Sequence, residues 1–146
     1  MQKFIIALVL MLSFATVASA RDTYSRNPAD IPAAAQSFIS NTFKAKINLI
    51  KIDKKTFGGT DYEVILTDGT EVEFDSKGNW KEIEVGASKA IPEKLVPELT
   101  RRYVNANHKG QKIVSVDKDR NGYTFGLTDG VEFKTDLSGR FLRYDD

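Results

Sequence analysis

The sequence predicts an α+β fold in which two tandem α-β-β-β-β repeats form one antiparallel sheet, with both helices packed on one face. Three observations predict it. First, residues 62–85 and 123–146, aligned at an offset of 61, agree at eight of twenty-four positions, where chance gives about one or two, so the chain repeats itself. The identities are Tyr62/Tyr123, Leu66/Leu127, Thr67/Thr128, Asp68/Asp129, Gly69/Gly130, Glu71/Glu132, Asp75/Asp136 and Gly78/Gly139. Second, each copy follows a stretch with apolar residues at helical spacing, after which the apolar period switches to two. Third, Asp68-Gly69 and Asp129-Gly130 each sit between two alternating runs, a strong hairpin signal read here as a type I′ turn. One such unit leaves its sheet edges open, whereas two can pair edges into a larger sheet.

Taken in order, the chain begins with Met1-Gln2-Lys3, an apolar run from Phe4 to Leu12, and small residues ending in Ala18-Ser19-Ala20. A basic start, a short apolar stretch and an A-x-A site read as a signal peptide over residues 1–20. The apolar run breaks too early to serve as a transmembrane helix. Residues 21–30 form an N-terminal segment. The first repeat spans 31–85: Asp30 is placed to cap a helix, Pro32 sits in its first turn, and Ala35, Phe38, Ile39 and Phe43 form its apolar face. Ile50 and Ile52, then Tyr62, Val64 and Leu66, then Val72 and Phe74, then Trp80, Ile83 and Val85 mark four strands.

Residues 86–90 make a short linker, and the second repeat covers 91–146. Its helix pattern runs Ile91, Leu95, Leu99, Tyr103, with Pro97 placed to bend, delay or restart it. Four strands follow, around Ile113/Val116, Tyr123/Phe125/Leu127, Val131/Phe133 and Phe141/Tyr144, with turns at Asn121-Gly122 and Ser138-Gly139. The linker is too short to separate independent domains, so one compact domain is expected.

Composition narrows the function classes. Removing Lys3 with the signal peptide leaves 20 basic residues against 20 acidic ones. A balanced charge argues against nucleic acid or an anionic membrane as partner. There is no cysteine, so stability must come from packing, and thiol catalysis, Cys-ligated zinc and c-type haem attachment are excluded. A periplasmic or secreted protein is expected, with no membrane insertion after cleavage.

These residues resemble a known family. A signal peptide, an Ile-Pro helix start and the strand block Tyr62, Val64, Leu66, Asp68, Gly69, Thr70, Val72, Phe74, Asp75, Gly78, Trp80, followed by a looser second copy, are similar to the PepSY-like, β-lactamase-inhibitor-like proteins exported by bacteria. The second copy departs with Thr135 in place of Phe74 and Phe141 in place of Trp80. The resemblance implies a helix-on-sheet fold like that of the secreted β-lactamase inhibitors. It rests on core and turn positions, and so carries over no contact residues.

Candidate chemistry is sparse. His108 is the single histidine and has no nucleophile context, so it reads as a solvated loop residue and no enzyme is expected. Asp117, Asp119 and Asn121 spell D-x-D-x-N-G with Gly122, the opening of a calcium loop, but position twelve is Thr128 instead of Glu. An Asn-Gly hairpin explains the same letters. Asp68, Asp75, Asp129 and Asp136 read as turn residues. Trp80 and Phe141 read as core. The best surface candidate is the sheet face away from the helices. With Tyr62, Val64, Leu66, Val72 and Phe74 pointing inward, Glu63, Ile65, Glu71 and Glu73 point outward, joined by Thr124, Gly126, Glu132 and Lys134 from the second copy. The expected role is non-catalytic: binding or regulating an extracytoplasmic protein through that face. No cofactor is expected. The alternative is a small-ligand or calcium-binding protein using Asp117–Gly122.

Overall fold

Pairing alternating strands through short turns gives a meander, and the computed structural model of the protein has this form. It describes residues 22–145; the expected signal peptide lies outside them. Nine antiparallel strands lie in sequence order in one sheet. They are β1 (Asp22–Ser25), β2 (Ile47–Lys54), β3 (Thr60–Leu66), β4 (Glu71–Phe74), β5 (Trp80–Glu84), β6 (Ile113–Lys118), β7 (Gly122–Leu127), β8 (Glu132–Asp136) and β9 (Phe141–Tyr144). Helix α1 (Ala33–Thr42) connects β1 to β2, and α2 (Glu98–Asn107) connects β5 to β6.

Both helices cover the same face. Val72 stands opposite Ile83, Ile83 opposite Val116, Val116 opposite Phe125, and Phe125 opposite Phe133, a single inward row crossing five strands. Phe38 of α1 packs edge-on to Phe74 at one end. Tyr103 of α2 meets Phe133 at the other and stacks on Phe141 at 4.4 Å. Phe74, Phe125 and Phe133 are fully buried, each stabilising the fold by on the order of 2–3 kcal/mol.

The helix starts differ from expectation. Asp30 does not cap α1. It lies in a 3₁₀ turn, Pro28–Asp30, where its carboxylate accepts from the Ser25 hydroxyl and Asn27 supplies the cap. Pro32 occupies the N-cap of α1 and Pro97 that of α2, both without a side-chain cap bond. Pro97 thus restarts the helix, and Ile91 and Leu95 fall before it, Leu95 in a 3₁₀ turn at Glu93–Leu95. A proline at residue i removes the N–H needed by the preceding turn, so the register begins anew.

The hairpin turns also correct the type I′ reading. Gly69 and Gly130 have φ of 86° and 88°, while no non-glycine residue among those described has positive φ. Leu66 accepts from Gly69 N–H at 3.0 Å and donates to Thr70 at 2.8 Å, and Leu127, Gly130 and Val131 do the same. This is a three-residue loop, a type I turn closed by a left-handed glycine bulge. Asp at the central position bonds the next backbone N–H but one, Thr70 or Val131, which favours negative φ there. Gly122 is a different case. A Cβ there would lie 1.9 Å from the Thr135 carbonyl oxygen, so close approach of β8 requires glycine.

β1 was not expected within residues 21–30. Four residues carry too little pattern to show a strand, and pairing with β2 supplies it: Thr23 faces Ile52 and Ser25 faces Ile50.

Candidate functional site: the open face of the sheet

The sheet face that carries neither described helix is ordered by register. Directly opposite residues in an antiparallel sheet point the same way, so two outward rows can be traced. One runs Leu49, Ile65, Glu71, Glu84, Ser115, Gly126, Glu132. The other runs Tyr24, Lys51, Glu63, Glu73, Glu82, Asp117, Thr124, Lys134, Arg143. The structure therefore brings Glu63, Ile65, Glu71, Glu73, Thr124, Glu132 and Lys134 onto one surface. It adds Glu82, Glu84, Ser115 and Asp117, which sequence reasoning did not place there. Alternation about Ile83 and Val116 carried that signal.

The charge distribution is lopsided. Carboxylates fill the middle of the second row, flanked by Lys51 on one side and by Lys134 and Arg143 on the other, and Glu71 and Glu84 are adjacent in the first. Glu63 stands directly across from Glu73, Glu71 from Glu84, Glu73 from Glu82, and Glu82 from Asp117. Like charges directly opposite destabilise a sheet. Burial pushes Glu71 up to about 7, with repulsion from Glu63 and Glu84 adding to it. Burial likewise raises Glu84, helped by Glu63 and Glu132. Glu63 is raised by burial; Lys51 offsets part of this and Glu73 adds repulsion. Some charges are compensated: Lys81 lies 3.7 Å from Glu73 and 3.2 Å from Asp61, which also meets Lys55 at 2.6 Å. There burial opposes ionisation, but the two ammonium groups outweigh it and hold Asp61 below the ordinary carboxylate range.

Asp117, Asp119 and Asn121 of the calcium motif lie at the end of β6 and in the loop before β7. Asp119 Oδ1 accepts from Asn121 N–H at 2.7 Å and Gly122 N–H at 3.0 Å, turning its carboxylate onto its own loop. Asp117 lies in the outward row. Among the described residues, no group of three or more His, Asp or Glu is arranged to hold a metal ion. His108 is not a free loop residue. It ends α2, and its Nε2 lies 3.1 Å from the Tyr144 hydroxyl, which lies 2.6 Å from that of Tyr103. Trp80 stacks between Phe38 and Tyr123, with Lys118 Nζ 5.4 Å from the ring centroid. A cleft of about 260 Å³ opens between the end of α1 and residues 85–92, beside the Asp68–Lys89 ion pair.

A family profile described as candidate β-lactamase-inhibitor-like, PepSY-like matches residues 60–143. The chain belongs to the PepSY-like family. Solved structures agree. A candidate periplasmic protein of unknown function from Bacteroides vulgatus is 38% identical, with a TM-score of 0.80, over 86% of this chain and 99% of that one. A candidate calcium-regulated periplasmic protein from Bacteroides thetaiotaomicron is 31% identical, with a TM-score of 0.77, over 86% of this chain and 97% of that one. A further candidate periplasmic protein from Bacteroides vulgatus is 29% identical, with a TM-score of 0.75, over 88% of this chain and 100% of that one. No curated protein matches. Nothing in this PepSY-like family or its solved relatives points to catalysis, and no described helix is long and apolar enough to cross a membrane.

Proposed function

We propose that this PepSY-like protein is an exported, non-catalytic binding or regulatory protein that engages a basic segment of an extracytoplasmic protein through its open sheet face. The observation that carries this reading is the pair of directly opposed carboxylates Glu63 and Glu73 beside the pair Glu71 and Glu84. Such pairs oppose folding, and rules of local stability are broken chiefly where function requires it. A cationic partner relieves the repulsion, and complementary charge also guides its approach. Export rests on the signal peptide read at 1–20 and on the periplasmic description of the solved relatives. The two α-β4 halves, 31–85 and 91–146 with 86–90 between, read as a duplication within one domain. In support, each helix start packs on the glycine of a β-turn, α1 on Gly78 and α2 on Gly139.

The test is capture of partners from the native extracytoplasmic fraction, followed by binding measurements with the purified partner. A partner that binds the parent but not a folded Glu63→Lys/Glu73→Lys variant supports the reading. Equal binding by both proteins removes it. A second reading, calcium at Asp117–Gly122, draws on the calcium-regulated description of the Bacteroides thetaiotaomicron relative. It requires calcium to raise Tm and Asp119→Ala to abolish that rise.

A further inference from the structure

We infer that the open edge of β9 pairs antiparallel with β9 of a second copy of this chain about a two-fold axis, setting Arg143 of each copy opposite Asp145 of the other. This goes beyond the reading of the open face and does not depend on it.

The edge is apolar, exposed and held in place. Four of the six exposed large hydrophobic side chains among the described residues gather around it: Leu99, Leu137, Leu142 and Tyr144. Leu142 and Tyr144 lie on β9, and Leu137 in the turn before it. Leu99 lies on α2, one helical turn before Tyr103, which stacks on Phe141 of β9. Apolar residues scattered singly need no explanation, whereas a cluster marks an interface. The Tyr144 hydroxyl lies 2.6 Å from that of Tyr103 and 3.1 Å from His108 Nε2. These contacts tie β9 to α2, so little ordering remains to be done on association. The chain already joins its own halves in this manner. The offset of 61 matches Trp80 of β5 to Phe141 of β9; β5 pairs its far edge with β6, while β9 ends the sheet.

The main chain sets the register. Asp145 N–H donates to the Glu132 carbonyl at 2.9 Å, so Asp145 turns its main-chain groups toward β8. Those groups alternate sides along a strand, and the N–H and carbonyl of Tyr144 therefore face the open edge. A two-fold axis beside Tyr144 lets the two copies exchange both bonds at that residue. The flanking pair is then Arg143 with Asp145, formed twice.

Charge selects this occupant. Within the chain Arg143 stands directly across from Lys134, and Asp145 stands across from Glu132. Like charges directly opposite destabilise a sheet, and opposite charges stabilise it. A second copy gives both β9 charges an opposite neighbour at once. An edge charge ordinarily deters pairing, and a two-fold centred on Arg143 would indeed set two arginines face to face. Centring on Tyr144 removes that conflict. The other open edge, β1, makes no such demand, because its Asp22 already meets Lys51 at 3.7 Å. Pairing β9 with β9 also closes the assembly, whereas β9 on β1 would extend it without end. A strand of four residues buries less than the roughly 1,200 Å² of a stable interface, so the dimer forms at high concentration.

Sedimentation velocity of the exported protein from about 1 μM to about 1 mM tests this. The expected result is a rise in mass from monomer to dimer that stops at dimer. Arg143→Asp and Asp145→Arg each set like charges opposite at two places and are expected to weaken the dimer by about tenfold or more. The double variant Arg143→Asp/Asp145→Arg restores opposite charges and should dimerise like the parent, as should an equimolar mixture of the two single variants. Amide NMR of the parent over the same range needs no substitution, and its concentration-dependent shifts should centre on residues 142–145. A parent that stays monomeric to about 1 mM, a mass that grows past dimer, or amide shifts centred elsewhere overturns the proposal. So does dimerisation that neither single change weakens, or a loss that neither the double variant nor the mixture restores.

Discussion

Glu71→Gln should stabilise the protein at pH 8 and flatten its pH dependence. Glu71 lies between Glu63 and Glu84, and burial raises its carboxyl from an ordinary 4.5 to about 7. A raised folded-state value means that the folded protein holds the proton more tightly than the unfolded chain. Its stabilising effect is complete below about pH 4.5 and is lost as pH rises through about 7. The full difference corresponds to at most about 3.5 kcal/mol; solvent screening of a half-exposed group reduces it to about 1–2 kcal/mol. For a domain of this size that is a fall in Tm of roughly 3–8 °C between pH 5 and pH 8. Glu71→Gln removes the charge, so its Tm should exceed that of the parent at pH 8 by a similar amount and match it near pH 5. The acid limb lies elsewhere. Burial opposes ionisation of Asp61, Asp68 and Asp75, yet hydrogen bonds hold all three below the ordinary range. Their stabilisation is present at neutral pH and is lost only as pH falls below about 3.8. Circular-dichroism melts from pH 5 to 8 check the reasoning. A parent Tm that is flat or rising over that range, together with an unchanged Tm for Glu71→Gln at pH 8, refutes it.

Other consequences are local. Thr100 Oγ1 donates to the Gly139 carbonyl at 2.8 Å in a buried contact between α2 and the β8–β9 turn. Thr100→Val should cost about 1–2 kcal/mol in urea unfolding by leaving that carbonyl unpaired. Gly122→Ala places a Cβ against the Thr135 carbonyl and should cost more than about 2 kcal/mol, with faster amide exchange in β7 and β8. Gly69→Ala strains a left-handed backbone in open space and should cost about 1 kcal/mol, visible as a small drop in Tm.

Periodicity in the sequence reached the local layer. Eight of the nine strands, both helices and the inward set from Tyr62 to Phe133 follow from alternation, because side-chain parity is a property of neighbouring residues. The same parity placed Glu63, Ile65, Glu71 and Glu73 outside. It stopped at the junction of the halves. Lys81 and Glu82 both lie outward because β4 and β5 shift register between Glu73 and Phe74, and a bulge leaves no mark in a hydrophobic pattern. The turn type was misread for a related reason. Asp-Gly fits both two- and three-residue loops, and the pairing of Leu66 with Thr70 chooses between them.

The sequence by itself determined the α+β class, the order of elements and which face of each strand is apolar, since these are set by residue type and spacing along the chain. Tertiary structure alone decided that β1 joins the sheet, that His108 reaches Tyr144, and that the halves pair through β5 and β6. That last pairing aligns Glu84, Ser115, Gly126 and Glu132 in one row. Residues from four strands become neighbours only when the edges meet, and Glu82 then stands across from Asp117.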